Sequence, residues 1–351
     1  MSPRVVIAAP LFNKATYVES AVRSLLEQTY GDFKLLLIDD RSEDETVAVC
    51  QRLAAEDERI EVHVNPARLG MLANTNRALS LARERHPEAE YWALGSDHDL
   101  WGPRWLETTL GLLDADPAAV LAYTLAIRVD GDGEPYGGRP DPWTFQTRGE
   151  SDPRARLTAA VRGMVAGEMI YGLFRMSALA DVGVLYRPVL IPDRLLLSEL
   201  ALRGTFLQAP EVLWYRRFRG LALLDRQRQA FWPDGVPAYA RTPWWMQHTL
   251  ELRQVYGGRL AARYLRLALA HRRRRRLSRL RRRVRRYRPR RIAHRTLSRT
   301  LARVGPTLGA IGRWTLGALE ASALTRPLAA RLRPPFERVT GRLNARGRPS
   351  S

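Results

Sequence analysis

The sequence is poor in cysteine, in lysine and in long apolar stretches. Cys50 is the single cysteine among 351 residues, which excludes an intramolecular disulfide and a cysteine-based metal cluster and is consistent with a reducing compartment. No run of about 18 apolar residues occurs, so no clear membrane-spanning helix is predicted. The first apolar run, Val5–Leu11, is too short for a secretory leader with its cleavage site, and we expect no signal peptide.

Acidic residues are almost absent from the last third of the chain. Residues 1–240 contain 27 lysines and arginines against 33 aspartates and glutamates, whereas residues 241–351 contain 30 arginines and three glutamates. The formal net charge of +21 therefore comes from the C-terminal part alone. A genome that favours arginine accounts for the scarcity of lysine, but it does not account for the loss of acids.

Apolar periodicity in the first third of the chain alternates between strand and helix patterns. In chain order the predicted elements are Val5–Ala9, Tyr17–Gln28, Phe33–Ile38, Thr46–Ala55, Ile60–Val64, Met71–Arg85 and Tyr91–Leu94. Strands and helices in this order, joined by short connections, are typical of a doubly wound α/β fold with parallel neighbouring strands.

The middle of the chain has a mixed pattern. Predicted helices cover Trp105–Leu113, Arg154–Ala166 and Leu195–Arg203, and predicted strands cover Val120–Val129, Tyr171–Arg175 and Val212–Arg217. The segment Asp130–Gly149 is rich in glycine, proline and aspartate and is predicted to be a loop.

The C-terminal part changes in character from Trp244 onward. Thr249–Arg288 is predicted to be largely helical, with Pro289 ending or kinking the helix. A second apolar and basic segment follows over Leu297–Leu332, and the last residues are expected to be disordered. We therefore predict three parts, namely a folded domain over 1–240, an arginine-rich helical extension over 241–340 and a disordered tail over 341–351.

Polar clusters follow the predicted strands of the first third at their carboxyl ends, where ligands bind in parallel α/β sheets. Asp97 and Asp99 come directly after the buried strand Tyr91–Leu94. Residues i and i+2 of an extended segment point the same way, so these two carboxylates can converge, and a hard divalent cation between them would offset their repulsion. The other clusters are Pro10–Asn13, Asp39-Asp40 and Asn65–Arg68.

With these clusters placed, residues 4–220 resemble glycosyltransferase family 2, the inverting nucleotide-sugar transferases with the GT-A fold. The matching segments are Val6–Asn13, Tyr17–Thr29, Leu37–Thr46, the spacing from Gly70 to Asn76, and Asp97-His98-Asp99 at the family's Asp-x-Asp position. The resemblance implies a doubly wound mixed sheet. It also implies transfer of a sugar from a nucleotide-diphosphate donor to a saccharide or lipid-linked acceptor, in cell-envelope or polysaccharide biosynthesis.

By the same resemblance, the strand ends would bind the nucleotide-sugar. Asp39 and Asp40 would hold the base and ribose, and Arg68 would approach the base or the diphosphate. Alternatively, one of the two carboxylates caps the following helix, and Arg68 is a solvated loop arginine. The full set of expected contacts is Pro10, Asn13, Asp39, Asp40, Arg68, Asn76, Asp97 and Arg216, with Arg217 as an alternative to Arg216.

The resemblance also implies a metal site and a catalytic base. Asp97 and Asp99 would bind Mn²⁺ or Mg²⁺, which neutralises the diphosphate leaving group. His98 is expected only to separate the two acids, because hard cations prefer oxygen ligands. Asp193 would take the proton of the acceptor hydroxyl, although Pro192 stands where the family commonly has an acid; alternatively, Asp193 is the N-cap of the helix over Leu195–Arg203.

Two other classes of function compete with this interpretation. The arginine-rich extension could bind nucleic acid non-specifically, and a sugar nucleotidyltransferase has a similar fold. We do not expect nucleic acid to be the partner, because the apolar residues interleaved over 255–335 favour an interfacial helix on an anionic membrane. A nucleotidyltransferase would need an early glycine-rich phosphate loop with a basic residue, which is absent near residues 8–16. The expected location is the cytoplasm, at the inner face of the plasma membrane.

Overall fold

The computed structural model describes residues 2–136, 145–164, 167–217, 223–232, 235–274 and 277. Two compact units are present, Met1–Arg272 and Arg273–Ser351, and only residues 273, 274 and 277 of the second have a described structure. The predicted segment Leu297–Leu332 and the predicted disordered tail lie outside the described residues. Within the described ranges, no helix combines the length and the apolar character that a membrane span requires.

Strands and helices alternate through the first third, as the apolar periodicity predicts. The elements are β1 (Val5–Leu11), α1 (Ala15–Leu26), β2 (Phe33–Asp39), α2 (Thr46–Glu56), β3 (Ile60–Val64), α3 (Met71–Arg85) and β4 (Tyr91–Leu94). Three of these have the predicted bounds, and the others differ from them by one or two residues at their ends. The prediction of alternating elements is confirmed here, because the apolar residues of β1, β2 and β4 are buried in the sheet and each of the three helices buries one face.

The second part of the domain departs more from the prediction. Its elements are β5 (Leu100–Trp101), α4 (Trp105–Ala115), β6 (Ala119–Val129), α5 (Pro153–Gly163), a 3-10 helix (Gly167–Tyr171), β7 (Leu173–Arg175), α6 (Met176–Ala180), α7 (Pro192–Arg203), β8 (Thr205–Arg217), α8 (Leu223–Phe231), α9 (Ala238–Arg241) and α10 (Trp244–Tyr256). The short elements β5, α6, α8 and α9 were not predicted, since two to nine residues carry little periodicity. Tyr171 was predicted in a strand, but it ends the 3-10 helix instead.

The long helix predicted over Thr249–Arg288 is wrong as a single helix. Gly257 has a φ of +80°, a left-handed conformation that ends α10, and a second helix covers residues 258–274. The remainder of the predicted helix and Pro289 lie outside the described part of the chain. The segment predicted as a loop after β6 is also described only in part, and its described residues form no helix.

Eight strands form one mixed sheet in the order β3-β2-β1-β4-β7-β6-β8-β5. The strands β3, β2, β1 and β4 are parallel to one another, and β6 is parallel to β8. The strand β7 is antiparallel to both of its neighbours, β4 and β6, and β5 is antiparallel to β8. The predicted doubly wound mixed sheet is therefore confirmed, and apolar side chains of β1 and β2 are buried on both faces.

The helices α5 and α7 cap each other's C-terminal ends with buried arginines. Arg156 of α5 donates to the carbonyls of Ala201 and Leu202 at 2.9 and 3.1 Å. Arg194 of α7 donates to the carbonyls of Val161 and Met164 at 2.7 and 2.8 Å. Each guanidinium thus satisfies helix carbonyls that lack a partner and places its charge at the negative end of the neighbouring helix dipole.

Residues beyond 240 contribute to the core of the first unit. Leu252 of α10, with Ala261 and Tyr264 of the following helix, packs against Leu157 of α5 and Leu195 of α7. The compact unit therefore continues past the boundary expected at 240. The physical reason is that α5 and α7 have apolar surface left over after covering the sheet, and the helices after residue 244 bury it.

Candidate active site

The carboxyl end of β2 carries Asp39 and Asp40, both buried. Asp39 accepts hydrogen bonds from the backbone N–H of Ser42, at 2.8 Å, and from its hydroxyl. Asp40 accepts from Asn65 Nδ2 at 3.0 Å and from the backbone N–H groups of Leu69 and Gly70 at 2.7 and 2.8 Å. Neither carboxylate caps α2, so the alternative in which one of them does so is wrong.

Asn74 was not among the predicted site residues, yet it ties the same strand ends together. Its Nδ2 donates to the carbonyl of Ile38 at 3.1 Å, and its Oδ1 accepts from Asn65 at 2.9 Å. Asn74 lies on α3 and is 2 % exposed. A polar residue at a core-facing position of a helix is the sequence signal that identifies it, because such a side chain must find partners.

The loops after β1 and β2 are locked to each other. Asn13 has a φ of +50°, its N–H donates to Ser42 Oγ at 2.9 Å, and its Oδ1 accepts from the N–H of Glu43 at 2.9 Å. Arg68, from the next loop along the edge, lies over the ring of Phe12 with 4.0 Å between guanidinium carbon and ring centroid. This cation–π contact holds the exposed Arg68 on the loop that follows β1, at Phe12, two residues after Pro10 in the sequence.

The turn Gly95–Asp99 after β4 is built around a close approach and a hydroxyl. A Cβ on Gly95 would lie 2.8 Å from Ala9 Cβ, so this position requires glycine. Ser96 Oγ accepts from the backbone N–H of His98 at 3.3 Å and from that of Asp99 at 3.2 Å. The approach of Gly95 to Ala9 and the hydrogen bonds to Ser96 therefore fix the turn that carries Asp97 and Asp99 beside β1.

His98 contacts both carboxylates that flank it, a role the sequence did not indicate. Its Nδ1 hydrogen-bonds to Asp97, and its Nε2 lies 3.6 Å from Asp99 Oδ1. Burial lowers the pKa of His98, but the hydrogen bond to Asp97 and the charge of Asp99 outweigh it and raise that pKa above its ordinary value. The positively charged Lys14 Nζ also lies near Asp97, 3.4 Å from its Oδ2.

Asp99 is held from the far side of the sheet by β8. Its Oδ1 accepts from the backbone N–H of Arg217 at 2.9 Å, and the Arg217 side chain donates to Ser20 at 3.1 Å and to the carbonyl of His98. Arg217 is thus committed to the scaffold, whereas Arg216 lies beside it with its guanidinium 5.8 Å from the Trp214 ring. Burial raises the pKa of Asp99, and the charge of Arg216 opposes that rise.

Asp193 occupies the second position of α7 rather than its N-cap. Pro192 is the first residue of the helix and Ile191 precedes it, so the alternative N-cap role of Asp193 is wrong. Among the described residues, no donor reaches the buried Oδ1 of Asp193. Burial raises the pKa of Asp193, while the backbone of Arg194 and the charges of Arg194 and Arg216 lower it less.

Ile191, immediately before Pro192, has a left-handed backbone with φ +56° and ψ +54°. A β-branched residue in this conformation costs of order 1–3 kcal/mol and persists only where its surroundings determine it. Residues before proline also prefer extended conformations. The strain therefore lies two residues from the candidate base.

The hydroxyl of Tyr171 is influenced by the charges of both the Asp97–Asp99 pair and Asp193. Its ring stacks on Trp214 with centroids 4.8 Å apart. Burial raises the pKa of its hydroxyl, and the charges of Asp97, Asp99 and Asp193 all act on it in the same direction. The charge of Arg216 opposes these three, so four predicted site residues act on one aromatic side chain that sequence analysis had not selected.

Asn76 lies at a different part of this region from the strand-end residues. Its amide group donates to the carbonyl of Tyr186 at 2.8 Å and accepts from its N–H at 2.7 Å. Burial raises the pKa of the Tyr186 hydroxyl, and the charge of Asp193 raises it further. Asn76 therefore fixes a loop on the Asp193 side of the cleft.

The arrangement of the sheet and its loops is that of the GT-A class of nucleotide-sugar transferases. The fold is similar to that of TarS 1-349 of S. aureus in its crystal structure with UDP-GlcNAc, with a TM-score of 0.56 over 76% of this chain and 72% of that chain. The sequences are only 14% identical in that comparison, so the similarity is one of fold.

Residues 6–172, just under half of the chain, match the model of glycosyl transferase family 2. Similar proteins include glycosyltransferase GlyG of Streptococcus pneumoniae, 24% identical over 39% of this chain and 44% of its own. A Campylobacter jejuni GalNAc(5)-diNAcBac-PP-undecaprenol beta-1,3-glucosyltransferase is 32% identical over 23% of this chain and 26% of its own. TuaG of Bacillus subtilis, named for teichuronic acid biosynthesis, is 29% identical over 38% and 50%. The chain thus spans half or less of the length of these relatives.

We expect Asp40→Asn to destabilise the fold. The substitution places an NH₂ group against backbone N–H donors, so at least one of the three hydrogen bonds is lost and a buried donor is left without a partner. The free energy of unfolding, measured by urea denaturation, should fall by about 1–3 kcal/mol. Asp32→Asn, at an exposed loop position, is the matched control and should change it by less than about 0.5 kcal/mol. Equal stability of the two variants would contradict the structural role of Asp40.

Proposed function

We propose that the protein transfers a sugar, with inversion, from a nucleotide-diphosphate donor to an acceptor hydroxyl. The observation that carries this proposal is the half-buried Asp193, whose buried Oδ1 meets no donor among the described residues. Its charge and the charges of Asp97, Asp99 and Arg216 all act on the hydroxyl of Tyr171. Burial raises the pKa values of Asp99 and Asp193, and carboxylates perturbed in this way are typical of sites of proton transfer.

Asp97 and Asp99 fit a divalent cation whose other ligands come from the substrate. Mg²⁺ is commonly held by one or two carboxylates together with substrate phosphates and water. The described residues contain no group of three or more such side chains that could hold an ion on its own, which agrees with a substrate-completed site. Bound there, Mn²⁺ or Mg²⁺ would supply Lewis-acid stabilisation of the diphosphate leaving group.

Asp193 acts as the general base in this proposal. Its burial disfavours the charged form, so the carboxylate gains a proton more readily than a solvated aspartate does. Arg216, whose charge acts on both Asp99 and Asp193, would face the diphosphate and keep Asp193 ionised before the acceptor arrives. Burial raises the pKa values of the Tyr171 and Tyr186 hydroxyls, and the charge of Asp193 raises both further.

The donor and acceptor classes follow from the relatives. The TarS fragment, which shares the fold, was crystallised with UDP-GlcNAc, and this supports a nucleotide-sugar donor. The names of the Campylobacter and Bacillus relatives support a lipid-linked or envelope saccharide as acceptor and a role in polysaccharide biosynthesis. The strand-end contacts predicted for the nucleotide are Pro10, Asn13, Asp39, Asp40, Arg68 and Asp97. Asp39 and Asp40 would then act partly through the loops they hold.

We expect turnover of one member of a panel of UDP-, GDP- and dTDP-sugars in the presence of Mn²⁺ or Mg²⁺, measured as nucleoside diphosphate release. Asp193→Asn should lower kcat by about 10²–10⁴-fold, because it removes the base. Asp99→Asn should lower turnover and weaken its dependence on metal concentration. Asp181→Asn is the control, since Asp181 is exposed. Turnover by Asp193→Asn equal to that of the control would refute the catalytic role.

The rate should depend on pH through Asp193. Because the base must be ionised, kcat should rise with pH, and its midpoint should lie above the ordinary aspartate pKa of 3.8, in the direction set by burial. Arg216→Met removes a charge that lowers this pKa, so the midpoint should move to still higher pH. Arg104→Met, at an exposed position on α4's N-terminal side, should leave the midpoint in place. A midpoint that Arg216→Met does not move would contradict the assignment.

We also propose that the arginine-rich segment holds the protein on anionic membranes from the inner, cytoplasmic side. On α10, Met246 and Leu250 are 38% and 47% exposed one turn apart, close in sequence to the arginine run that begins at Arg272. Basic residues near an anionic surface contribute about 1 kcal/mol each. The same charge could attract nucleic acid, but the apolar residues interleaved with the arginines in the sequence, such as Leu277 and Leu280, favour a lipid surface.

A variant of the full chain with Arg272–Arg276 and Arg281–Arg283 replaced by glutamine should lose flotation with phosphatidylglycerol-containing liposomes. Pure phosphatidylcholine liposomes serve as the control and should carry neither protein. Equal flotation of the variant and the wild type would overturn the membrane proposal.

A further inference from the structure

The backbone of Leu190, three residues before Asp193, is held on both sides by adjacent residues of α10. Its N–H donates to Gln247 Oε1 at 2.9 Å, and its carbonyl accepts from His248 Nε2 at 2.8 Å. Gln247 and His248 are 2 % and 0 % exposed, so water does not compete for these bonds. The next residue is held as well, since the N–H of Ile191 donates to Gln227 Oε1 of α8 at 3.1 Å.

The tautomer of His248 follows from its partners. A backbone carbonyl can only accept, so Nε2 carries the proton, and Nδ1 accepts from the hydroxyl of Tyr264 at 2.7 Å. Burial lowers the pKa of His248 to about 3, which keeps the ring neutral. Gln247 is fixed in turn, because its Nε2 donates to the carbonyl of Thr242 at 2.7 Å.

We propose that Gln247 and His248 are positioning residues for the candidate base, acting through the backbone of Leu190. This inference rests on the proposed function, because it assigns a purpose to the orientation of Asp193. Without these two hydrogen bonds, Ile191 would relax from its left-handed conformation towards the extended one that residues before proline prefer. Relaxation there rotates the first turn of α7, which carries Pro192 and Asp193.

The proposal makes the segment after residue 240 part of the catalytic unit. The cluster of Leu252, Ala261 and Tyr264 holds α10 against α5 and α7. Gln247 and His248 therefore lie on a helix that shares one core with α7, the helix that they position. Sequence alone places Gln247 and His248 in an arginine-rich extension. The structure places them in direct contact with the loop that leads to the base.

The test compares His248→Leu and Gln247→Leu with His248→Gln. The glutamine amide can still donate to the Leu190 carbonyl, so His248→Gln should recover most of the activity that His248→Leu loses. A displacement of about 1 Å costs on the order of 10²-fold in rate, so kcat should fall at least about tenfold in the leucine variants. KM for the donor should stay within about twofold, because the strand-end contacts are untouched.

Leu53→Ala, in α2, is the control for a merely structural effect. Leu53 is fully buried, in a hydrophobic cluster separate from the one around α10. The substitution removes buried packing without removing a hydrogen bond to Leu190, so it should lower the melting temperature while kcat below that temperature stays near the wild-type value. If His248→Leu loses no more kcat than Leu53→Ala, the positioning role is refuted.

Hydrogen–deuterium exchange supplies a readout that does not need turnover. Amide exchange in the peptide over 189–195 should accelerate in His248→Leu and Gln247→Leu and stay slow in Leu53→Ala. Unchanged exchange in both leucine variants overturns the inference, whatever the activity. Full activity of Asp193→Asn would instead refute the proposed function. The exchange result would then show only that Gln247 and His248 hold the backbone of Leu190.

Discussion

The architecture of the cleft depends on one buried carboxylate, that of Asp40, at the end of β2. Its three donors come from Asn65 and from the backbone of Leu69 and Gly70, so the end of β2, the loop after β3 and the start of α3 meet at a single anion. A buried charge is tolerated only when its hydrogen bonds are made. The loop that places Arg68 over Phe12 is therefore fixed to the end of β2 by the carboxylate of Asp40.

Much of the fold could be predicted because it is encoded in local periodicity. The strands β1, β2 and β4 are mostly apolar, and β3 alternates between apolar and polar residues. The carboxyl ends of these parallel strands gather at one edge, which brought Asp39, Asp40, Asp97 and Asp99 into the predicted site from sequence alone. Their individual partners could not be predicted. Whether an aspartate holds a loop or a ligand depends on which backbone N–H groups arrive beside it, and those belong to distant parts of the chain.

The second half of the site was less predictable because its contacts are long-range. Asp193 could be found from its neighbours in sequence, but the strained Ile191 and the hydrogen bonds from α8 and α10 become visible only in three dimensions. Tyr171 was predicted in a strand, and its place among four charged side chains depends on stacking with Trp214. His98 was expected to be a spacer, yet it bridges two acids, because the turn held by Ser96 folds its ring back between them.

The reciprocal arginines of α5 and α7 constrain how the chain can vary in length. Arg156 reaches carbonyls at the end of α7, and Arg194 reaches carbonyls at the end of α5. A residue inserted into either helix rotates those carbonyls by about 100° and carries them away from the waiting guanidinium. Insertions and deletions are consequently not tolerated within these helices. The distance from each arginine to the end of its own helix is therefore fixed by the partner helix.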